Sequence, residues 1–281
     1  MTLRVDEAGA SVLVQDRGRP GWAHLGMPRS GVLDPPAAEL ANRLVGNHPD
    51  AACLEVMLGG LVVTADDGCW VAVTGAHCVV TVEGRAREFA APVRVEAGGV
   101  LRLGTPATGL RSYLAVAGGI DVEPVLGSRS TDTLGHLGPP PVAVGDRLPI
   151  GTPADPPAAA DTPRPPAVGP LHLMPGPRAD RVDGDAVDLL CRTAYAVSPR
   201  SDRIGMRLDG APLPLVPRGE LPSEGMVLGA VQVPPDGRPV VFLADHPTTG
   251  GYPVVAVVDE HDLWQCAQLR PGEPVAFARS H

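Results

Sequence analysis

The segment 244–253 carries the densest group of side chains suited to chemistry in this sequence. It follows an apolar run and contains an aspartate, a histidine, two threonines, two glycines and a tyrosine. Asp245 can serve as a general base or a substrate anchor, and the Thr-Thr-Gly-Gly run can form a nest of backbone amides. The competing interpretation is a simple hairpin corner, but loops at strand ends often carry function. We predict Asp245 as the catalytic residue and expect substrate binding by Thr248, Thr249, Gly250, Gly251 and Tyr252.

Two segments nearer the N-terminus can bind an anion. Residues 127–131 surround Arg129 with three hydroxyls, which are donors for a carboxylate or a phosphate. Residues 15–21 set two arginines beside Asp16. The competing interpretations are structural: hydroxyls that cap a short helix near Thr131, and an internal ion pair between Asp16 and an arginine. The candidate substrate-binding residues in these two segments are Arg17, Ser128, Arg129, Ser130 and Thr131.

Three further polar residues, Arg203, Glu224 and Gln232, are candidates for substrate binding. Arg203 and Glu224 can instead form a buried structural pair. The eight histidines show no H-x-H or H-E-x-x-H spacing, and the five cysteines contain no C-x-x-C. We therefore predict that the chain holds no metal ion.

The composition excludes several classes of function. The formal net charge is -9, which disfavours nucleic acid as a partner. All 23 cationic residues are arginine, so the chain can form no Schiff base, has no P-loop lysine and can carry no biotinyl-lysine. The odd number of widely spaced cysteines indicates reduced thiols, and the sequence shows neither a signal peptide nor a membrane-length apolar run. We expect a cytoplasmic protein with no membrane association.

Short strands dominate the predicted elements of the N-terminal half. A single clear helix is expected, with Asp34 as its N-cap, Pro35 in its first turn and Gly46 just beyond its end. Runs rich in valine and leucine, separated by glycine turns, predict the strands. These strands are Cys53–Met57, Leu61–Thr64, Trp70–Thr74, Cys78–Glu83, Val100–Leu103 and Ser112–Ala117.

The C-terminal half repeats this style after a proline-rich linker at about 151–170. Strands Ala230–Val233 and Val240–Ala244 flank a Pro-Pro-Asp-Gly turn and predict a hairpin. Val254–Val258 is expected to be a buried strand, and Asp259 to cap a short helix after it. The predicted fold is mainly β, with two β-barrel domains that each contain a short helix, over residues 1–160 and 161–281.

Ten blocks of sequence, in order over about 260 residues, resemble one family. This family is the C subunit of bacterial ATP-dependent 5-oxoprolinase, also described as allophanate hydrolase subunit 2. It includes the antikinase antagonist KipA and the carboxyltransferase region of urea carboxylase. The blocks that carry the resemblance are Gln15–Gly21, Ala41–Leu44, Leu54-Glu55, Gly127–Thr131, Pro175–Pro177, Ser201–Gly205, Ser223–Gly225, Gln232–Pro234, Thr248–Pro253 and Gln268–Gly272.

The resemblance implies two cyclophilin-like barrels and an enzyme that works only with partners. The partners are the cyclophilin-like, KipI-type B subunit of the oxoprolinase together with its A subunit; the substrate is a small molecule. The implied reaction is ATP-dependent hydrolysis of the lactam amide of 5-oxoproline to give glutamate. ATP with Mg is expected to act at the level of the complex, with no covalent cofactor on this chain. Arg129 and its neighbouring hydroxyls would hold a carboxylate or phosphate, and Asp245 with Thr248–Gly251 would face them from the other barrel.

One departure from the family and two alternative functions remain. After Gly138 the family usually has a Gly-Arg pair, whereas this chain has Pro139–Pro141, so an arginine contact near Ser128–Thr131 is expected to be missing. The first alternative is a biotin-dependent carboxyltransferase or an allophanate hydrolase-type subunit of urea degradation. The second is a non-catalytic regulator of a kinase inhibitor.

Overall fold

A computed structural model describes residues 1–157 and 167–280 of the chain. They are mainly β, as predicted, and form two compact units. The first unit contains Met1–Arg19, Ser30–Asp132 and 136–157, and the second contains Pro20–Arg29, Thr133–Gly135 and 167–280. Two short pieces of the N-terminal half therefore belong to the second unit. The domain boundary expected near residue 160, in the middle of the proline-rich linker, lies outside the described residues and stays a prediction.

The first unit contains eleven described strands in two antiparallel sheets, and one α-helix. The six-stranded sheet has the order β11-β1-β4-β9-β6-β7, and the five-stranded sheet has the order β2-β3-β10-β5-β8. The elements are β1 (Thr2–Ala8), β2 (Ser11–Gln15), α1 (Pro35–Leu44), β3 (Cys53–Met57), β4 (Leu61–Ala65), β5 (Cys69–Gly75), β6 (Val80–Val82), β7 (Arg85–Arg87), β8 (Val93–Val95), β9 (Val100–Leu103), β10 (Arg111–Val116) and β11 (Arg147–Pro149).

The central strands of the five-stranded sheet are buried on both faces. Valine and leucine side chains of both sheets form a core on one face, and α1 packs its buried alanines and Leu44 on the other. This explains why β10 is buried at all six positions, so that it shows no alternation of polar and apolar residues. The predicted helix is confirmed: the Asp34 carboxylate accepts a hydrogen bond from the backbone N–H of Ala37, at 3.0 Å.

The second unit contains an eight-stranded sheet with the order β20-β13-β14-β17-β16-β19-β12-β21, and a separate β15-β18 ribbon. The two edge strands of the sheet, β20 and β21, are separated in sequence only by Ala276. The ends of the sheet therefore meet, and the sheet forms a nearly closed barrel. The elements are β12 (Leu171–Pro175), α2 (Ala186–Arg192), β13 (Tyr195–Val197), β14 (Gly205–Gly210), β15 (Glu224–Gly225), β16 (Ala230–Gln232), β17 (Val240–Phe242), β18 (Thr249–Gly250), β19 (Val254–Val258), α3 (Leu263–Cys266), β20 (Pro274–Val275) and β21 (Phe277–Arg279).

The local signals read in the second unit behave as predicted, although they covered only strands β16, β17 and β19 and the helix after Asp259. Strands β16 and β17 form the expected hairpin, and the N–H of Gly237 donates to the carbonyl of Pro234 at 2.9 Å in its turn. Asp259 caps the short 3-10 turn that leads into α3. Helix α2 was not expected; Asp185 caps it by accepting a hydrogen bond from the N–H of Asp188.

All five cysteines are free thiols, as predicted, and four of them are buried. Burial raises the pKa of the Cys69 thiol to about 11, so this thiol is protonated at neutral pH. Among the described residues, no helix is both long and apolar enough to cross a membrane.

Candidate functional site

The Asp16 carboxylate, directly after β2, binds residues 128–130 of the predicted site segment 127–131. Its Oδ1 accepts hydrogen bonds from the hydroxyls of Ser128 and Ser130, both at 2.6 Å, and from the N–H of Gly18 at 2.8 Å. Its Oδ2 accepts one from the N–H of Arg129 at 2.6 Å. Serine hydroxyls and backbone amides therefore stabilise this carboxylate, and the competing interpretation of an ion pair between Asp16 and an arginine was wrong. No helix lies near residue 131 in the described structure, so the helix-cap interpretation was wrong too.

The two arginines predicted to bind substrate in the first unit are engaged by carboxylates of the protein. The Arg129 guanidinium donates to Asp121 at 2.6 Å and to the carbonyl of Val122 at 2.8 Å. Arg17 is exposed and donates to Asp50 at 3.2 Å. A substrate carboxylate or phosphate would have to compete with these aspartates for either arginine, so both binding roles stay predictions.

Gln15 and Thr131 form a buried polar contact beside this cluster. The Gln15 side-chain amide donates to the carbonyl of Thr131 at 2.9 Å, and both side chains are almost completely buried. Among the described residues, Gln15 Oε1 and Thr131 Oγ1 have no hydrogen-bond partner. A buried polar atom without a partner costs about 1–3 kcal/mol unless water or a ligand satisfies it.

We expect Thr131→Val to raise the free energy of unfolding by about 1–3 kcal/mol, because valine keeps the shape and removes the unpartnered hydroxyl. Thr74→Val is the matched control, since the equally buried Thr74 hydroxyl donates to the carbonyl of Ala37 at 2.6 Å. The control should lose about 0.5–1.5 kcal/mol. Denaturant titration measures both. Destabilisation by Thr131→Val would mean that the hydroxyl has a water or ligand partner.

The second unit brings Asp245 and Arg203 together in a buried ion pair. The guanidinium Nε lies 3.0 Å from Asp245 Oδ2 and Nη2 lies 3.3 Å from Oδ1, while Asp245 is 0% exposed and Arg203 is 5% exposed. Thr133 adds its N–H at 3.0 Å and its hydroxyl at 2.6 Å, both donated to Oδ2. Four donated hydrogen bonds leave Asp245 poorly placed to take a proton, so this geometry favours a positioning role. Its catalytic assignment stays a prediction.

His246, which follows Asp245, is a buried neutral imidazole. Burial lowers the pKa of His246, with Arg29 acting in the same direction and Asp245 opposing it. The ring Nδ1 lies 2.8 Å from the carbonyl oxygen of Pro247. Because a carbonyl can only accept, Nδ1 carries the hydrogen, and Nε2 is left as the basic nitrogen of the ring.

The Gln232 side chain lies against Gly250 of the β15-β18 ribbon. Its side-chain amide donates to the carbonyl of Tyr252 at 3.1 Å. Within the ribbon, Glu224 of β15 pairs in register with Gly250 of β18. A Cβ on Gly250 would lie 2.8 Å from Gln232 Nε2, so a larger residue at position 250 would displace the Gln232 side chain. Thr248 joins the ribbon through its carbonyl, which accepts from the Met226 N–H. The Thr-Thr-Gly-Gly run is thus partly a strand.

Glu224 does not pair with Arg203, so the alternative interpretation of these two residues as a structural pair was wrong. Its carboxylate binds the Arg178 guanidinium through both oxygens, with Nε to Oε2 at 3.0 Å. This hydrogen bond and the charge of Arg178, and more weakly the charge of Arg181, lower the pKa of the Glu224 carboxyl. Arg178 was not among the predicted site residues, because its partner lies 46 residues away in the sequence.

Two of the predicted binding residues line a cavity of about 850 Å³ in the second unit. Gly251 and Tyr252 line it, and the Tyr252 side chain is about half exposed. Arg181, another residue that the sequence analysis did not select, lines the same cavity. This volume falls in the range of small-molecule sites.

A buried network in the first unit was also missed. The Glu55 carboxylate accepts from the Tyr113 hydroxyl at 2.9 Å and from the N–H of Leu33 at 3.2 Å, and it pairs with Arg111. The Tyr113 hydroxyl in turn accepts from the N–H of Asp34, the N-cap of α1. Burial and the neighbouring carboxylates raise the pKa of Tyr113 well above its ordinary value. The sequence did contain a signal for this network, because Glu55 is the one charged residue in the otherwise apolar strand β3.

Three arginines of the candidate sites are not free to bind a nucleoside triphosphate. Arg129, Arg178 and Arg203 each bind a carboxylate of the protein, and a phosphate chain would have to displace it. Among the described residues, no group of three or more His, Cys, Asp or Glu side chains is arranged to hold a metal ion. We therefore derive no step on this chain through ATP or Mg.

Comparison with known proteins identifies the family of the chain. It is 40% identical over 99% of its length to the C subunit of 5-oxoprolinase from Escherichia coli (strain K12), and it covers 91% of that protein. The crystal structure of TTHA0988 matches 99% of the chain with a TM-score of 0.88 and 43% identity; the chain spans only 55% of that longer protein. Urea amidolyase of K. lactis matches the whole chain with a TM-score of 0.92 and 29% identity, over 19% of its own length. A family model described as carboxyltransferase domain, subdomain A and B, matches residues 25–279. The chain belongs to the carboxyltransferase domain family.

Proposed function

We propose that this chain is the C subunit of an ATP-dependent 5-oxoprolinase, which opens the lactam of 5-oxoproline to give glutamate. The observation that carries the proposal is the 40% identity to the Escherichia coli C subunit, extending over 99% of this chain and 91% of that protein. The identity to the K. lactis urea amidolyase is lower, at 29%, and that match covers 19% of the enzyme. The proposed partners are the A and B subunits of the same complex, in the cytoplasm.

In this proposal the chain binds and positions the small substrate, and the assembled complex carries out ATP-dependent hydrolysis. A lactam amide is a poor electrophile, and ATP supplies the driving force for its opening at the level of the complex. The cavity lined by Gly251 and Tyr252 supports a binding role for the segment 248–252. The pair of Arg203 and Asp245 fixes the start of the loop that carries this segment, because Asp245 lies three residues before Thr248.

Reconstitution tests the proposed function. We expect the purified chain to release no glutamate from 5-oxoproline and ATP, and turnover to appear when the A and B subunits are added. Chain-only, pairwise and three-component mixtures are compared by glutamate and ADP release, with size-exclusion chromatography to detect the complex. Robust turnover by the chain alone, or separate elution of the three proteins without turnover, would contradict the proposal.

A biotin-dependent carboxyltransferase is the second candidate. The family description and the match to urea amidolyase favour it. Because the chain contains no lysine, the biotinyl group would have to come from another domain or another protein. Avidin added to the reconstituted mixture separates the two candidates: unchanged turnover supports the lactam hydrolase, and inhibition supports the carboxyltransferase. None of the relatives described above supports the kinase-regulator alternative.

A further inference from the structure

The cavity of the second unit has largely apolar walls and is lined by three charged residues, Arg181, Arg218 and Glu220. Arg181 lies in the short 3-10 turn Ala179–Arg181, against which the segment 215–221 packs. Leu215, Leu221, Val233 and three prolines form much of the wall, together with the Tyr252 ring. The half-exposed ring and aliphatic groups can cover the non-polar body of a small ligand.

The Arg181 guanidinium presents one edge that is not used by the protein. Its Nη1 donates to the backbone carbonyls of Arg218 and Gly219, the second at 3.1 Å. Within residues 1–157 and 167–280, its Nε and Nη2 have no acceptor. The Nε–Nη2 edge carries two parallel N–H groups, and this fork matches the two oxygens of a carboxylate.

The two neighbouring arginines differ from Arg181 in this respect. Arg178 uses its Nε–Nη2 edge to bind Glu224. Arg218, which also lines the cavity, donates from Nη1 to Asp180 at 2.6 Å. The ion pairs of these two arginines neutralise their charges, whereas the Glu224 carboxylate, which feels the charge of Arg181, is already bound by Arg178. The charge of Arg181 is therefore available to a ligand.

We propose that this cavity binds a small carboxylic acid with a compact non-polar body, and that the Nε–Nη2 edge of Arg181 holds the carboxylate. The proposal rests on the proposed function insofar as it names 5-oxoproline, whose ring carries a carboxylate next to non-polar methylene groups. It assigns Arg181 as the residue that distinguishes this acid from an uncharged lactam.

Ligand-observed NMR on the purified full chain tests the assignment with three probes. They are 5-oxoproline, cyclopentanecarboxylate, which lacks the lactam, and 2-pyrrolidone, which lacks the carboxylate. We expect both acids to bind and 2-pyrrolidone to bind about tenfold to hundredfold more weakly. Arg181→Gln should weaken both acids by the same factor and leave 2-pyrrolidone unchanged. Arg218→Gln is the matched control, because it removes a cation from the same wall and should leave all three affinities near those of the wild type.

The outcomes distinguish failure of the proposed Arg181 site from failure of the proposed 5-oxoprolinase function. Acid binding by Arg181→Gln at wild-type affinity, equal binding of 2-pyrrolidone and 5-oxoproline, or no acid binding to the wild type would each overturn the Arg181 site. Unchanged melting temperatures show that the variants are folded. If the acids bind through Arg181 but the reconstituted complex opens no 5-oxoproline, the site stands and the proposed function fails. If the complex turns over and Arg181→Gln leaves acid binding unchanged, the function stands and the site fails.

Discussion

Replacing Arg203 with methionine should lower the free energy of unfolding of the second unit by about 3–5 kcal/mol. Methionine fills a similar volume but leaves the fully buried Asp245 carboxylate without its cation. Breaking a buried pair on one side costs this much because the remaining charge stays desolvated. Denaturant titration followed by circular dichroism measures the change.

Two further variants show whether the loss comes from the unpaired charge. Adding Asp245→Asn to Arg203→Met should recover much of the stability, because the charge is then gone. Arg238→Met is the surface control: its ion pair with Asp209 is about half exposed and should contribute less than about 1 kcal/mol. Equal losses for Arg203→Met with and without Asp245→Asn would show that the unpaired Asp245 charge is not the cause of the destabilisation. The Asp245→Asn variant in the reconstituted complex also tests the predicted catalytic role.

Replacing Asp16 with asparagine should destabilise the first unit by about 3 kcal/mol or more. The carboxylate accepts four hydrogen bonds, from two serine hydroxyls and two backbone amides. An asparagine with its oxygen at the Oδ1 position loses the bond from the Arg129 N–H and sets its NH2 group against that donor. Its other three bonds then go to a neutral oxygen and fall from about 1.5–3 kcal/mol to about 0.5–1.5 kcal/mol each. Thermal and denaturant unfolding provide the measurement.

Asp50→Asn is the control for Asp16→Asn. Asp50 forms an exposed ion pair with Arg17 in the same unit, and its loss should cost less than about 1 kcal/mol. Loss of hydrogen-exchange protection at residues 128–130 in Asp16→Asn would identify the released segment. A stability change as small as that of the control would show that Asp16 does not fix this segment.

Local features of the fold were predictable from the sequence. The Asp34 cap and the proline after it define the start of α1, and Pro-Pro-Asp-Gly defines the hairpin of β16 and β17. These signals act between residues only a few positions apart, so they are readable without the tertiary structure. Helix α2 has an equally local cap at Asp185, but its seven residues follow a stretch rich in turns and were too short to stand out.

The partners of the charged side chains were not predictable in the same way. A structural pair of Arg203 and Glu224 was one interpretation of the sequence, yet Arg203 binds Asp245, 42 residues away, and Glu224 binds Arg178. Asp16 and its serines are separated by more than a hundred residues. Such pairings depend on which strands become neighbours, and the spacing of residue types along one chain does not encode that choice.

The closing of the barrel has a consequence for biosynthesis. Strand β21 pairs in parallel with β12, and residues 277–279 thereby join residues 171–173. The nascent second unit therefore cannot complete its sheet until the ribosome has added Arg279. Until then the open edge of β12 is exposed to solvent and to other chains, which is the state in which unpaired strands aggregate. Yield in the cell should therefore depend on how quickly this last strand is delivered after the rest of the unit.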